Sequence, residues 1–196
     1  MLWNDTLLHD LVREKLGDAR LVVVSNRQPY SHVFSGAEVR CERPASGMVS
    51  ALDPVLRACR GLWVAHGSGS ADRVVVDQHD RVTVPPDNPQ YTLKRVWLTK
   101  EEEAGYYYGF ANEALWPLCH VVDVRPKFRS EDWAAYVDIN GRFAAATHAE
   151  LGTSETPVFI QDYHLALVAP ALRALRPNAR TALFWHIPWP YPDRLR

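Results

Sequence analysis

The chain has 196 residues, an apolar fraction of 47% and a net charge of −1. That length suits a single sizeable domain, and the near-zero charge excludes the basic excess of a general nucleic-acid binder. No apolar run approaches membrane-spanning length, the charged N-terminal stretch is no signal peptide, and Cys41, Cys59 and Cys119 are odd in number and far apart, as expected of reduced thiols in a cytoplasmic protein.

Leu7, Leu8, Leu11, Val12 and Leu16 recur at helical spacing, with Asn4 or Asp5 as the cap and Gly17 as the stop. Arg20 to Ser25 is a short β-branched run, the pattern of a strand buried on both faces. A turn-rich stretch follows, in which Ser35-Gly36 can close a small hairpin. Gly47 to Cys59 reads as a helix despite Pro54, and Gly61 to His66 as a second strand. Three β-like runs come next, Arg73 to Asp77, Arg81 to Pro85 and Tyr91 to Leu98, and predict a meander or a peripheral extension. Lys100 to His120 and Ser130 to Leu151 are helical, each opening on acidic residues that suit a positive helix end.

The last section alternates strand, helix, strand over Pro157 to Gln161, His164 to Leu175 and Ala179 to His186. Short links between such elements imply a parallel, right-handed crossover. The expected fold class is therefore α/β, a Rossmann-like parallel sheet flanked by helices with a small β extension. Ligands of such sheets bind beyond the carboxyl ends of the strands. Chemistry should therefore sit just after each strand.

Arg27 follows the first strand, where a guanidinium can grip a phosphate bidentately or simply pair with a carboxylate. Gly47 opens a helix, where backbone N–H groups can approach an anion or where glycine merely caps. Trp63 lies on a strand that runs into Gly67-Ser68-Gly69, and serves as core or as ligand platform. Tyr106 to His120 is dense in amphipathic aromatics, which offer a sugar an apolar face and a hydroxyl. Asp162 ends a strand and can accept sugar hydroxyls or stabilise positive charge on a sugar ring; with His164 it could instead begin a metal site. No zinc-protease, paired-cysteine or carboxylate-cluster motif supports a metal, and no nucleophile-elbow serine is present.

In this order the segments resemble the N-terminal domain of the trehalose-6-phosphate synthase family: Ser25-Asn26-Arg27, Ser46-Gly47, Trp63 to Gly69, Tyr106 to His120, Asp162 to Leu165, and His186 to Pro190. The resemblance runs from about Leu21 to the last residue. It implies the N-terminal half of a GT-B architecture, with residues 1–196 forming the acceptor domain. The reaction it implies is retaining transfer of glucose from a nucleotide-glucose donor, UDP-glucose, to glucose 6-phosphate, with no metal and no cofactor. Arg27 and Tyr107 would hold the acceptor phosphate, Trp63 and Trp116 would line the acceptor pocket, and Asp162 would bind acceptor hydroxyls beside the reacting centre. His186 would contact the donor glucose, and Gly47 would let the loop pass the donor phosphates.

Departures from the family pattern are Ser46 in place of the first of two glycines, His66 at the end of the Trp63 stretch, and Glu113 among the aromatics. The family's C-terminal donor domain is expected to be missing after Arg196, so this piece alone should be inactive. Apolar surface left open for that domain is expected to favour homo-oligomers. Two alternatives remain: a non-catalytic sugar-phosphate-binding or regulatory module, and a synthase of another phosphorylated glycoside.

Overall fold

A computed structural model describes residues 5–120, 122–152 and 156–192. The first helix, α1 (Asp5–Leu16), ends at Gly17, whose φ of +59° is the left-handed conformation that favours glycine. The cap expected at Asn4 lies outside the described residues, as does the Asp5 side chain. Next come β1 (Val22–Ser25) and an antiparallel hairpin, β2 (Ser31–Ser35) and β3 (Glu38–Glu42), turned at Gly36. Helix α2 (Gly47–Ala58) follows with Pro54 inside it, and then β4 (Leu62–His66).

Strands β5 (Arg81–Val84) and β6 (Tyr91–Val96) precede one long helical segment. That segment comprises α3 (Lys100–Glu103), a π-helical stretch Ala104–Leu115, and α4 (Trp116–His120). Helix α5 (Ser130–Glu150), β7 (Pro157–Gln161), α6 (Val168–Leu175) and β8 (Arg180–Phe184) complete the described chain.

Six strands form one sheet in the order β5-β6-β4-β1-β7-β8, parallel except for β5. Its core is built by strand alternation. Val22, Val24, Leu62, Val64, Val158 and Ile160 face one layer, where they meet Tyr106 and Phe110 of the π stretch, Tyr136 and Phe143 of α5, and Leu172 of α6. Val23, Trp63, Ala65 and Leu93 face the other, against Val49 and Leu56 of α2. Helices thus cover both faces, as the continuous apolar runs of β1 and β4 anticipate.

A three-stranded meander is not formed, and the extension is instead an antiparallel β5–β6 pair at the edge of the main sheet. Residues 81–84 and 91–96 join the main sheet, β6 pairing in parallel with β4. The tract after Ala71 is no strand but a single 3-10 turn, Asp72–Val74. Asp72 decides this: its buried carboxylate accepts the backbone N–H groups of Gly69 (2.7 Å) and His32 (2.7 Å) and pairs with buried Arg95 at 2.5 Å. A buried carboxylate with those partners overrides the β propensity of the three valines beside it. The β element outside the sheet is the β2–β3 hairpin.

The π stretch carries its aromatics past α5 at close range. A Cβ on Gly109 would meet the Asp132 carboxylate at 2.5 Å, so glycine leaves that carboxylate where it stands between the two segments. Tyr106 is thereby buried in the core, while Tyr107 turns toward the carboxyl ends of the strands.

Candidate active site

The strand order runs from β1 outward through β4 and β6 on one side and through β7 and β8 on the other. The carboxyl ends of β1 and β7 therefore diverge into a crevice at the point where the winding reverses, the usual ligand position in such sheets. A cavity of about 250 Å³ lies there. Ser25 at the end of β1 with Asn26 and Arg27 beyond it, Gln161 at the end of β7 with Asp162 and His164 beyond it, and His186 after β8 line it. Ser46 and Met48 at the start of α2, and Tyr107 from the π stretch, complete the wall.

Asp162 is held in an unusual backbone conformation, φ 75° and ψ 164°, a region almost confined to glycine. The strain is offset by a dense set of bonds. Its N–H donates to Phe184 O at 2.8 Å, and its Oδ1 accepts from the N–H groups of Tyr163 (2.8 Å) and His186 (3.3 Å). The carboxylate thus ties the ends of β7 and β8 together while still facing the cavity. Burial alone would raise the Asp162 carboxyl. The contact from His164 and the Tyr163 N–H outweigh burial and hold it below the usual carboxylate range.

His164 has Nδ1 3.4 Å from Asp162 Oδ2, and its ring lies parallel to that of Tyr107, centroids 4.8 Å apart. Helix α5 braces the turn from below. Tyr136 Oη donates to Tyr163 O at 2.5 Å, and the Asn140 side-chain amide donates to His164 O at 3.1 Å. Tyr163 Oη in turn donates to Asn112 Oδ1 of the π stretch at 2.7 Å. At β8, His186 Nε2 lies 3.1 Å from Gln161 Oε1.

Arg27 is exposed, and its Nη1 donates to Ala45 O at 3.3 Å. Among the described residues it has no carboxylate partner, so its charge is available to an anionic ligand in the cavity. Ser46 accepts the Val49 N–H and caps α2, a local reason for serine there. Gly47 is not in the cavity wall itself but lies between Ser46 and Met48, which are. Nothing lies within 4 Å of where its Cβ would stand, so the fold itself does not require glycine at this position.

Arg27, Tyr107, Asp162 and His186 therefore meet on one cavity, although they come from four separate parts of the chain. Trp63 and Trp116 do not join them. Trp63 is fully buried on the α2 face of the sheet, and its Nε1 donates to Ser25 Oγ at 2.7 Å, so it supports the β1 end from behind. Trp116 lies away from the cavity wall and stacks on His120, centroids 4.0 Å apart. Glu113 pairs with Arg129 at 2.6 Å and is a surface contact between the π stretch and α5.

The Gly67-Ser68-Gly69 loop is not part of the cavity wall, and its glycines serve close packing. A Cβ on Gly67 would meet the Trp97 ring at 2.4 Å, and one on Gly69 would meet His32 O at 2.3 Å. The Asp162–His164 pair forms no metal-type cluster of three or more His, Cys, Asp or Glu among the described residues. Asn26, Gln161 and His164 are wall residues that sequence reasoning treated as flanks of Arg27 and Asp162. Their position next to strand ends was the available signal.

Comparison with known proteins places these features in a family. The Glycosyltransferase family 20 model matches residues 19–196. A trehalose-6-phosphate synthase of Mycobacterium ulcerans is 40% identical over 178 residues, covering 90% of this chain and 34% of that protein. Two solved structures are similar in fold and sequence. One, described as trehalose-6-phosphate from E. coli bound with UDP-2-fluoro glucose, has a TM-score of 0.69 and 29% identity, covering 89% of this chain and 34% of that one. The other is a UDP-forming alpha,alpha-trehalose-phosphate synthase from Burkholderia xenovorans in complex with glucose-6-phosphate. Its TM-score is 0.66 and its identity 26%, covering 90% of this chain and 35% of that one. The chain thus spans about a third of the length of these relatives.

Proposed function

Because the chain belongs to glycosyltransferase family 20, we propose that it supplies the acceptor side of an active site that transfers glucose from UDP-glucose to glucose 6-phosphate, giving trehalose 6-phosphate. The observation that carries this reading is the convergence of a carboxylate-free arginine, Arg27, and an ionised carboxylate, Asp162, on one cavity at the reversal of the sheet. A cation in the wall suits the acceptor phosphate. Hydrogen-bond acceptors in the same wall suit its hydroxyls.

In this scheme Arg27 and Tyr107 hold the phosphate, and Asp162 orients the sugar through its hydroxyls. His186 contacts the donor glucose, and the open space at Gly47 admits the donor diphosphate near the N-terminus of α2. A second domain closes the cleft and grips the nucleotide. The bond between the glucose anomeric carbon and the diphosphate breaks as the acceptor anomeric hydroxyl bonds to that carbon on the same face. The departing diphosphate takes the hydroxyl proton. Catalysis then depends on positioning and electrostatics, with no side-chain nucleophile and no cofactor. Among the described residues no helix is long and apolar enough to cross a membrane, and the free thiols of Cys41, Cys59 and Cys119 suit a cytoplasmic setting.

The test is release of UDP by the intact protein given UDP-glucose and glucose 6-phosphate, compared with unphosphorylated glucose. Release that depends on the phosphate supports the proposal. Binding of glucose 6-phosphate without turnover would replace it with a non-catalytic sugar-phosphate module, and turnover only with a different phosphorylated acceptor would reassign the product.

A further inference from the structure

Among the described residues, several buried side-chain polar atoms have no hydrogen-bond partner, and Asn26 Oδ1, Gln161 Nε2 and His164 Nε2 belong to residues of the cavity wall. A buried polar atom without a partner carries a desolvation cost that a bound ligand can relieve. Of the three, His164 is held between two aromatic rings. The residue is only 8% exposed, and its ring lies between Tyr107, parallel at 10°, and Tyr163, whose ring centroid is 4.0 Å away. Its backbone carbonyl is fixed by Asn140 of α5. The imidazole is thus set in orientation before any ligand arrives.

Its chemistry follows from its neighbour. Nδ1 faces the Asp162 carboxylate at 3.4 Å, where a proton on Nδ1 is attracted and a lone pair would be repelled. With the proton on Nδ1, Nε2 carries the ring's lone pair and can only accept. Two acceptors, the Asp162 carboxylate and His164 Nε2, then belong to neighbouring residues of the same cavity wall. A phosphate would be repelled there, whereas an O–H donor satisfies both. Arg27 offers the opposite chemistry in the same cavity.

We infer that His164 is a specificity-determining residue whose Nε2 accepts a hydrogen bond from a ring hydroxyl of the acceptor sugar, adjacent to the hydroxyl taken by Asp162. This rests on the proposed function above and adds to it a residue that reads the sugar ring directly.

The test uses the intact protein, glucose 6-phosphate and its monodeoxy analogues, with His164→Asn and His164→Gln. An asparagine amide reaches the place of Nδ1 and can still serve Asp162, but has nothing at Nε2; a glutamine amide reaches Nε2. In the parent protein one analogue is expected to lose roughly tenfold in kcat/KM, the scale of one hydrogen bond. His164→Asn should lose a similar factor with glucose 6-phosphate, mainly in KM, and show little further loss with that analogue. His164→Gln should retain the discrimination. Discrimination kept in both variants, or lost in both, overturns the inference. Thermal melts check that each variant folds, and His164→Phe, which keeps the stacking, replaces the asparagine variant if that one does not. Absence of any transfer to glucose 6-phosphate by the unmodified protein sinks the functional proposal itself. Transfer with no coupling between His164 and any hydroxyl sinks only the role of His164.

Discussion

The ring of Tyr107 lies face to face with that of His164, at an interplanar angle of 10° and a centroid distance of 4.8 Å. One comes from the π stretch and the other from the turn after β7, so the stack joins two walls of the cavity that are 57 positions apart in the sequence numbering (164 − 107). A pair of this kind contributes roughly 0.5–1.5 kcal/mol beyond its buried area.

Tyr107→Phe keeps that stack and removes only the hydroxyl. It should weaken acceptor affinity roughly tenfold or less if the hydroxyl meets the phosphate, leaving the melting temperature unchanged. Tyr107→Ala should lower both affinity and thermal stability, because His164 loses its neighbour. Acceptor KM and a thermal melt for the two variants check this, and equal effects would show that the hydroxyl is idle.

Arg27 has no carboxylate partner among the described residues, so its removal leaves no buried charge stranded. Arg27→Ala should raise the acceptor KM by roughly 10- to 100-fold, the scale of a lost charge-assisted contact. Arg27→Lys should recover only part, since an ammonium cannot present a planar fork. An acceptor KM unmoved in Arg27→Ala would show that the phosphate binds elsewhere.

Asp72 predicts an acid sensitivity outside the cavity. Burial would raise its carboxyl, but the His32 side chain and N–H, Gln28 and Arg95 more than compensate and hold it at about 2. The folded value lies below the ordinary 3.8. Asp72 therefore stabilises the folded state above about pH 4, and that contribution of roughly 2 kcal/mol is lost as pH falls towards its folded value. Asp72→Asn should flatten this pH dependence and destabilise the protein at pH 7 by about 3–5 kcal/mol, since Arg95 is left buried without its charge partner. Amide exchange in β6, corrected for intrinsic pH dependence, measures both effects.

Trp63 separates core from site. Trp63→Ala should cost about 3–5 kcal/mol of stability through the cavity it leaves between the sheet and α2. Trp63→Phe, which keeps most of the volume, should leave the acceptor KM where it was. A large rise in KM with an unchanged melt would return Trp63 to the ligand.

Periodicity was enough to indicate the α/β class and the order of most elements, and strand-end position pointed to Arg27, Asp162 and the segment that opens at His186; Tyr107, on a helical stretch and not at a strand end, was singled out only by the family resemblance. Strand ends in a doubly wound sheet are the same place in every such fold, so a residue's position along the chain implied its position on the rim. The side of the sheet was another matter. Trp63 alternates with Leu62 and Val64, and which of these faces the α2 layer depends on register with β1 and β6, which no single strand encodes. The valines at 74–76 carried strand propensity, yet the partners of the buried Asp72 carboxylate, drawn from β2, β6 and the loop before it, imposed a turn. The left-handed backbone at Asp162 and the unpartnered nitrogen of His164 are likewise products of packing between β7, β8, α5 and the π stretch. Local sequence determined which groups reach the rim; only contacts between distant segments decided which way each one faces, because orientation is set by the neighbours that exclude every other choice.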